Sequence, residues 1–264
     1  MAVSHLAKAQ RDLGRSDDSR RGMQYDADTD GRFAPASRRS LAHLAWLAGD
    51  FPAAHAVVPT LGWPGRHHRV DGDIWWPHGD MTSAAAYEAA RNEAEEYGVA
   101  GKRTTSQAQR AFALSFTDPH VADNELELAA QLLTGLDLRS TTLTVKIAAL
   151  VRNAGTDRDL PGLAGALRAE IGAAGLVAPE VMLELDLAFH HAVRDDGREV
   201  DGVIDRLRSL TSGGEVVYYA EIAHHMVGAQ PAFSDTRWIA DGLTVQDRWQ
   251  GLVRARQAHL AAHW

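Results

Sequence analysis

Histidine is the side chain best suited to hold a metal or move a proton near neutral pH. The chain carries thirteen. Six fall in adjacent pairs, His67-His68, His190-His191 and His224-His225. The last two pairs sit on expected helices 34 residues apart, with Glu184, Asp186 and Glu221 close by in sequence. If equivalent helices stack side by side, these groups converge on one face and offer metal-binding or acid–base chemistry. Geometry restricts the idea, because neighbouring residues on a helix point about 100° apart and only one histidine of a pair shares a given face. There is no His-Glu-x-x-His motif and no His-Asp dipeptide. The expectation is that one histidine of each pair packs between helices and the other is solvated. No metal and no cofactor is assigned. A metal- or small-molecule-dependent enzyme using the paired histidines stays open as the alternative function.

A second dense stretch is HRVDGDIWWPHGD, residues 68–80, with two tryptophans, two histidines and three aspartates. Gly72 and the prolines at 64 and 77 argue against a long helix. Residues 67–81 therefore read as an irregular connection. Trp75 and Trp76 either plug a gap in the core or face a ligand with the carboxylates. A calcium loop is excluded, because only Asp71-x-Asp73 of the required spacing is present. GVAGKRT (98–104) fails as a nucleotide loop: the first glycine position is Glu96 and the Ser/Thr position is Arg103. No Gly-x-Ser-x-Gly elbow occurs. With no catalytic motif in view, the chain is not expected to be an enzyme.

Composition narrows the classes further. At 264 residues and 45% apolar content, a packed core is within reach along the whole chain. The formal net charge of −8 argues against general binding to nucleic acid, which needs clustered cations. Arg20-Arg21 and Arg38-Arg39 are short and diluted by Asp. The absence of cysteine excludes disulfides, thiolate zinc sites and a cysteine nucleophile. No apolar run approaches the ~20 residues of a membrane span, and no signal peptide is visible. A cytoplasmic protein with no membrane partner is expected, its oligomeric state open.

The elements that must position these groups are helical. Ala-, Leu-, Glu- and Arg-rich stretches repeat apolar residues three and four apart. Glycines at 135, 155, 175, 197 and 213–214 punctuate them as C-terminal caps do. Helices are expected near 2–13, 16–27, 36–48, 52–58, 82–97, 105–116, 121–134, 140–154, 160–174, 179–194, 199–211, 215–228 and 245–262. TTLTV (141–145) and EVVYY (215–219) are the best strand candidates, and both run straight into helical patterns. The last helix is amphipathic, with Trp249, Leu252, Val253 and Leu260 on one side, and suits a closing element.

Self-matches supply the architecture. LAKAQRDLGRSDDS (6–19) lies over LAHLAWLAGDFPAA (41–54) at an offset of 35, and DLAFHHAV (186–193) over AEIAHHMV (220–227) at 34. LAHLAWLAGDFPAAH (41–55) resembles the tetratricopeptide repeat family, a 34-residue helix–turn–helix unit. Ala42, Trp46, Gly49-Asp50, Phe51 and Ala54 take the family's small, aromatic and turn positions. The Arg-, Ala- and Asp-rich style also resembles the helical-repeat regions of actinobacterial STAND-type ATP/GTP-binding regulators, which implies a detached regulatory or sensor part. The expectation is an all-α, right-handed α-solenoid of divergent tetratricopeptide-like hairpins. It forms a single domain over 1–264, with recognisable repeats in 1–66, the irregular loop at 67–81 and divergent hairpins in 82–264. Its expected function is binding a protein or peptide partner in a groove, through Trp46, Trp75, Trp76 and Tyr87.

Overall fold

The computed structural model describes residues 16–29, 31–47, 50–80, 82–156, 159–210, 214–228 and 244–262. The described residues form an all-α fold of fourteen helices. They are α1 (Ser16–Asp28), α2 (Ala34–Leu47), α3 (Phe51–Val57), α4 (Gly62–Gly65), α5 (His67–Trp75), α6 (Thr82–Glu96) and α7 (Ala100–Ser115). They continue as α8 (Pro119–Leu133), α9 (Arg139–Arg152), α10 (Leu160–Ala174), α11 (Val177–Val193), α12 (Gly197–Leu210), α13 (Gly214–Val227) and α14 (Val245–Ala262). The helix expected at 2–13 lies outside the described residues. Both strand candidates are helical, TTLTV within α9 and EVVYY within α13.

Local sequence sets several boundaries. The Asp50 carboxylate accepts the Ala53 amide at 3.2 Å and caps α3. Asp118 does the same for α8, taking the His120 amide at 2.8 Å ahead of Pro119. At the end of α11 the left-handed residue is Asp195, with φ of 59°, and not the expected Gly197, which instead begins α12.

Residues 67–80, the described part of the stretch 67–81, are not the irregular loop that their glycine and prolines imply. They form the nine-residue α5 and a single tight turn, Trp76–His78. Gly72 is there because α5 lies against α6. A Cβ at that position would stand 2.6 Å from the Tyr87 ring, closer than any packed side chain tolerates. Pro77 occupies the first turn of the short segment that follows, where its missing amide costs nothing. Gly79 then reverses the chain with φ of 69°, beside the backbone of Trp249.

From α5 onward each helix packs on its successor. In addition α7 touches α9, α9 touches α11, and α11 touches α13, so alternate helices form a continuous row. A chain of edge-to-face rings runs through the core from Trp76 to Phe112, Phe116 and Phe189, at centroid separations of 5.1–5.3 Å.

The last helix ties distant parts together. Trp249 is buried, packs edge-on against Phe116, and donates its indole N–H to the Pro77 carbonyl at 2.8 Å. Arg248 pairs with Asp80 one residue away. Further along α14, Arg256 is buried and its guanidinium donates to the carbonyls of Val151, Arg152 and Ala154 at 3.0–3.3 Å, and to that of Ser115. Those carbonyls lie at or just past the C-terminal ends of α9 and α7, where intrahelical donors run out; Val151 also accepts the Ala154 amide at 3.0 Å. One arginine therefore caps two helices from inside the protein.

Candidate anion-binding pocket

Three elements that are far apart in sequence bring four cations to one place. Arg39 comes from α2, Arg66 and Arg69 from the start of α5, and Lys102 from the first turn of α7. With Trp63, Asp73, Ala90, Glu93 and Ser106 they line a pocket of about 250 Å³. The chain enters it through Arg66, a left-handed residue with φ of 63° that separates α4 from α5. The Arg66 guanidinium lies 3.8 Å from the centre of the Trp63 ring, and Trp63 stacks on the exposed Tyr97 at 4.5 Å with 4° between planes. A cation is thus held flat on an aromatic ledge at the pocket mouth.

The four cations are unequally compensated. Arg69 is fixed: its Nε donates to both Asp73 oxygens at 2.9 and 3.1 Å, and the buried Tyr87 hydroxyl donates to the same carboxylate at 2.8 Å. Burial opposes the Arg69 charge, but Asp73 and Tyr87 together outweigh it and the pKa stands above its ordinary value. The others are strained electrostatically. Burial first, then Arg66 and Arg69, pushes the Arg39 pKa down. Burial, then Arg66, Arg39 and Arg69, pushes Lys102 down. Burial lowers Arg66 as well, against the pull of Glu93. Neither Arg39 nor Lys102 has a carboxylate within 4.0 Å among the described residues. Four cations and two carboxylates leave this wall at about +2, in a protein of net charge −8. A phosphate or carboxylate group entering the pocket would relieve that repulsion and find donors already oriented.

The expected site residues fare differently. Trp76 is 7% exposed and Tyr87 fully buried, so neither offers its ring to a partner; both belong to the core around α5 and α6. Trp75 is half-buried against the His55 ring at 4.5 Å. The Trp46 side chain lies outside the described residues. None of the other three lines the pocket. Two of the three histidine pairs divide, while His67 and His68 are both half-buried: His190 is buried and its Nδ1 accepts the Gly155 amide at 3.1 Å, whereas His191 is half-buried. His225 is buried and His224 half-buried. Asp186 is fully buried, and neither of its oxygens takes a hydrogen bond among the described residues. Burial drives its pKa well up, with Arg256 pulling the other way. These groups on α11 and α13 do not form a ligand set of three among the described residues.

Sequence reading missed Arg39, Arg66, Arg69, Lys102 and Trp63. The one available signal was Trp-Pro-Gly-Arg-His-His-Arg (63–69), which interleaves an aromatic with two cations in a chain otherwise rich in acid. No family model, no curated protein and no solved structure matches the chain.

Proposed function

We propose that the chain is a helical-repeat binding module, and that its partner is a protein or peptide segment presenting an acidic or phosphorylated side chain to the Arg39–Arg66–Arg69–Lys102 pocket. The observation that carries this reading is the gathering of four cations from three separate elements around one pocket of an acidic protein. Such a gathering costs folding energy through mutual repulsion, and a bound anion offsets it. The Trp63–Tyr97 ledge beside it supplies the kind of aromatic-plus-arginine surface that dominates protein interfaces. As an architecture we propose a right-handed solenoid of divergent tetratricopeptide-like hairpins, supported by the row of alternate helices α7, α9, α11 and α13. Since α14 runs across the C-terminal ends of α7 and α9, the binding surface is assigned to the α2–α5–α7 side and not to a groove along that row.

The test is calorimetric titration with three versions of one peptide, carrying serine, phosphoserine or glutamate at its centre. The phosphorylated peptide is expected to bind best and the serine peptide least. Arg39→Gln or Lys102→Ala should weaken it about tenfold to a hundredfold, the value of one lost charge-assisted hydrogen bond. Affinity that ignores both substitutions, or that is equal for all three peptides, would discard the pocket as the site.

A further inference from the structure

A second cluster lies beside the pocket and shares Glu93 with it. His67 and His68 open α5, and Glu93 lies on α6. One ligand atom from each falls within 4.8 Å of the other two. His67 Nδ1 stands 3.8 Å from Glu93 Oε2, too far for a hydrogen bond, and is itself buried with no hydrogen-bond partner among the described residues. The His67 and His68 rings are 3.8 Å apart. Adjacent helical residues ordinarily diverge, but these two follow the left-handed Arg66 at the helix start, where the backbone enters from the side. That entry lets both rings face Glu93.

We infer that His67, His68 and Glu93 form a binding site for one divalent transition metal ion of the zinc class. Two imidazoles and one carboxylate suit a borderline ion and not calcium or magnesium, which prefer oxygen ligands throughout. In a tetrahedral site with bonds of roughly 2.0–2.1 Å, donors sit about 3.4 Å apart. The observed separations close to that value by small side-chain rotations, since all three residues are only half-buried. Three protein ligands leave one coordination position for water or for an oxygen of a bound anion. The site goes beyond the peptide reading and does not depend on it: none of the three ligands is among the four cations.

The experiment is a Zn²⁺ titration of the metal-free full chain, followed by competition with a chromophoric chelator, for the parent, His67→Ala, His68→Ala and Glu93→Gln. One equivalent should bind, and each substitution should weaken it by about tenfold or more, since loss of even an outer-shell partner costs about 10–100-fold. Lys146→Ala, on the exposed side of α9 and outside both sites, should leave it intact. Glu93→Gln preserves side-chain shape and guards against a folding artefact. Substitution of the parent with Co²⁺ gives a readout free of mutation: intense visible bands report tetrahedral nitrogen and oxygen ligation. No stoichiometric zinc, zinc retained in all three variants, or a weak octahedral cobalt spectrum would each overturn the assignment. Zinc binding that survives while phosphopeptide binding fails would leave this site standing and remove the pocket's function.

Discussion

Arg256 and the cations of the α2–α5–α7 pocket use charge in opposite ways: Arg256 is buried, whereas Arg39, Arg66 and Arg69 are half-buried and Lys102 is exposed. Arg256 gives its guanidinium N–H groups to four carbonyls of the protein itself. Burial drags its pKa to about 10, and both terminal nitrogens are engaged, with only the buried Nε lacking an acceptor among the described residues. Arg39 and Lys102 have no such internal acceptors among the described residues, and both line the same pocket. The first arrangement spends a charge on ordering the fold. The second keeps charges in place at some cost to the fold, a cost that the proposed bound anion would offset. A buried cation becomes informative about function when its donors are not accounted for internally.

The sharpest way to break the comparison is Arg256→Ala. It strips the carbonyls at the ends of α7 and α9 of their donor and leaves Asp186 without the one charge that opposes its burial. A loss of about 3–5 kcal/mol is expected from urea unfolding, the range for removing one partner of a buried charged network. A loss under about 1 kcal/mol would mean that water replaces the guanidinium, and Arg256 would then be no more structural than Arg39.

Next in size is Gly72→Ala, which tests whether the stretch around the pocket is packed as tightly as the core around Arg256. The new methyl would meet the Tyr87 ring, whose hydroxyl is held by Asp73 and so cannot swing freely. Overpacking of this kind costs about 1–3 kcal/mol. It should also disturb Arg69, through Asp73, and weaken anion binding along with stability.

The same contrast explains what was legible in the sequence. Apolar periodicity placed α10 and α14 with the observed limits, and glycine punctuation marked the ends of α8, α9 and α10, because both signals are local. Trp249, Leu252, Val253 and Leu260 fell on one face of α14 as expected, with Trp249 and Val253 fully in the core. Gly72 misled, because a glycine chosen for close helix contact looks identical in sequence to one chosen to break a helix. Trp76 and Tyr87 misled for a related reason: aromatic density marks a core as readily as a binding face. The pocket had no local signal at all. Arg39 and Lys102 are 63 positions apart, and only the packing of α2, α5 and α7 brings them together. The role of Arg256 was equally hidden, since its acceptors are backbone carbonyls, which no residue type announces.

Acid supplies a third, smaller perturbation. Burial, followed by the charges of His55, Arg248 and His225, lowers His78 to about 3, and burial lowers His225 to about 4. Both folded values lie below the unfolded value near 6.5, so the native state binds fewer protons than the unfolded chain between those limits. Their contribution is complete above pH 6.5 and is lost as pH falls toward 4 and 3. Each costs about 1.4 kcal/mol per pH unit within that window. His78→Phe should therefore flatten the fall in stability between pH 6 and pH 4 by about that slope. An unchanged slope would show that His78 is already protonated in the fold.

The smallest expected effect on stability bears hardest on the pocket. Lys102→Ala removes a cation with no ion-pair partner among the described residues, so stability should change by no more than about 0.5 kcal/mol. The sign should be stabilising at low ionic strength, because repulsion from Arg39, Arg66 and Arg69 is relieved, and the gain should vanish at 1 M salt, where the screening length is about 3 Å. Pyrophosphate should raise the melting temperature of the parent, by an amount equivalent to about 2.7 kcal/mol at a hundred times its Kd, and raise that of the variant much less. The two halves of this result are needed together. A substitution that lowers stability by 2 kcal/mol or more and abolishes no ligand effect would place Lys102 with Arg256, as a cation the fold itself consumes. A substitution that is neutral for folding and costly for the anion separates the two uses of charge with a single residue, and leaves a ligand as the reason the four cations are held together.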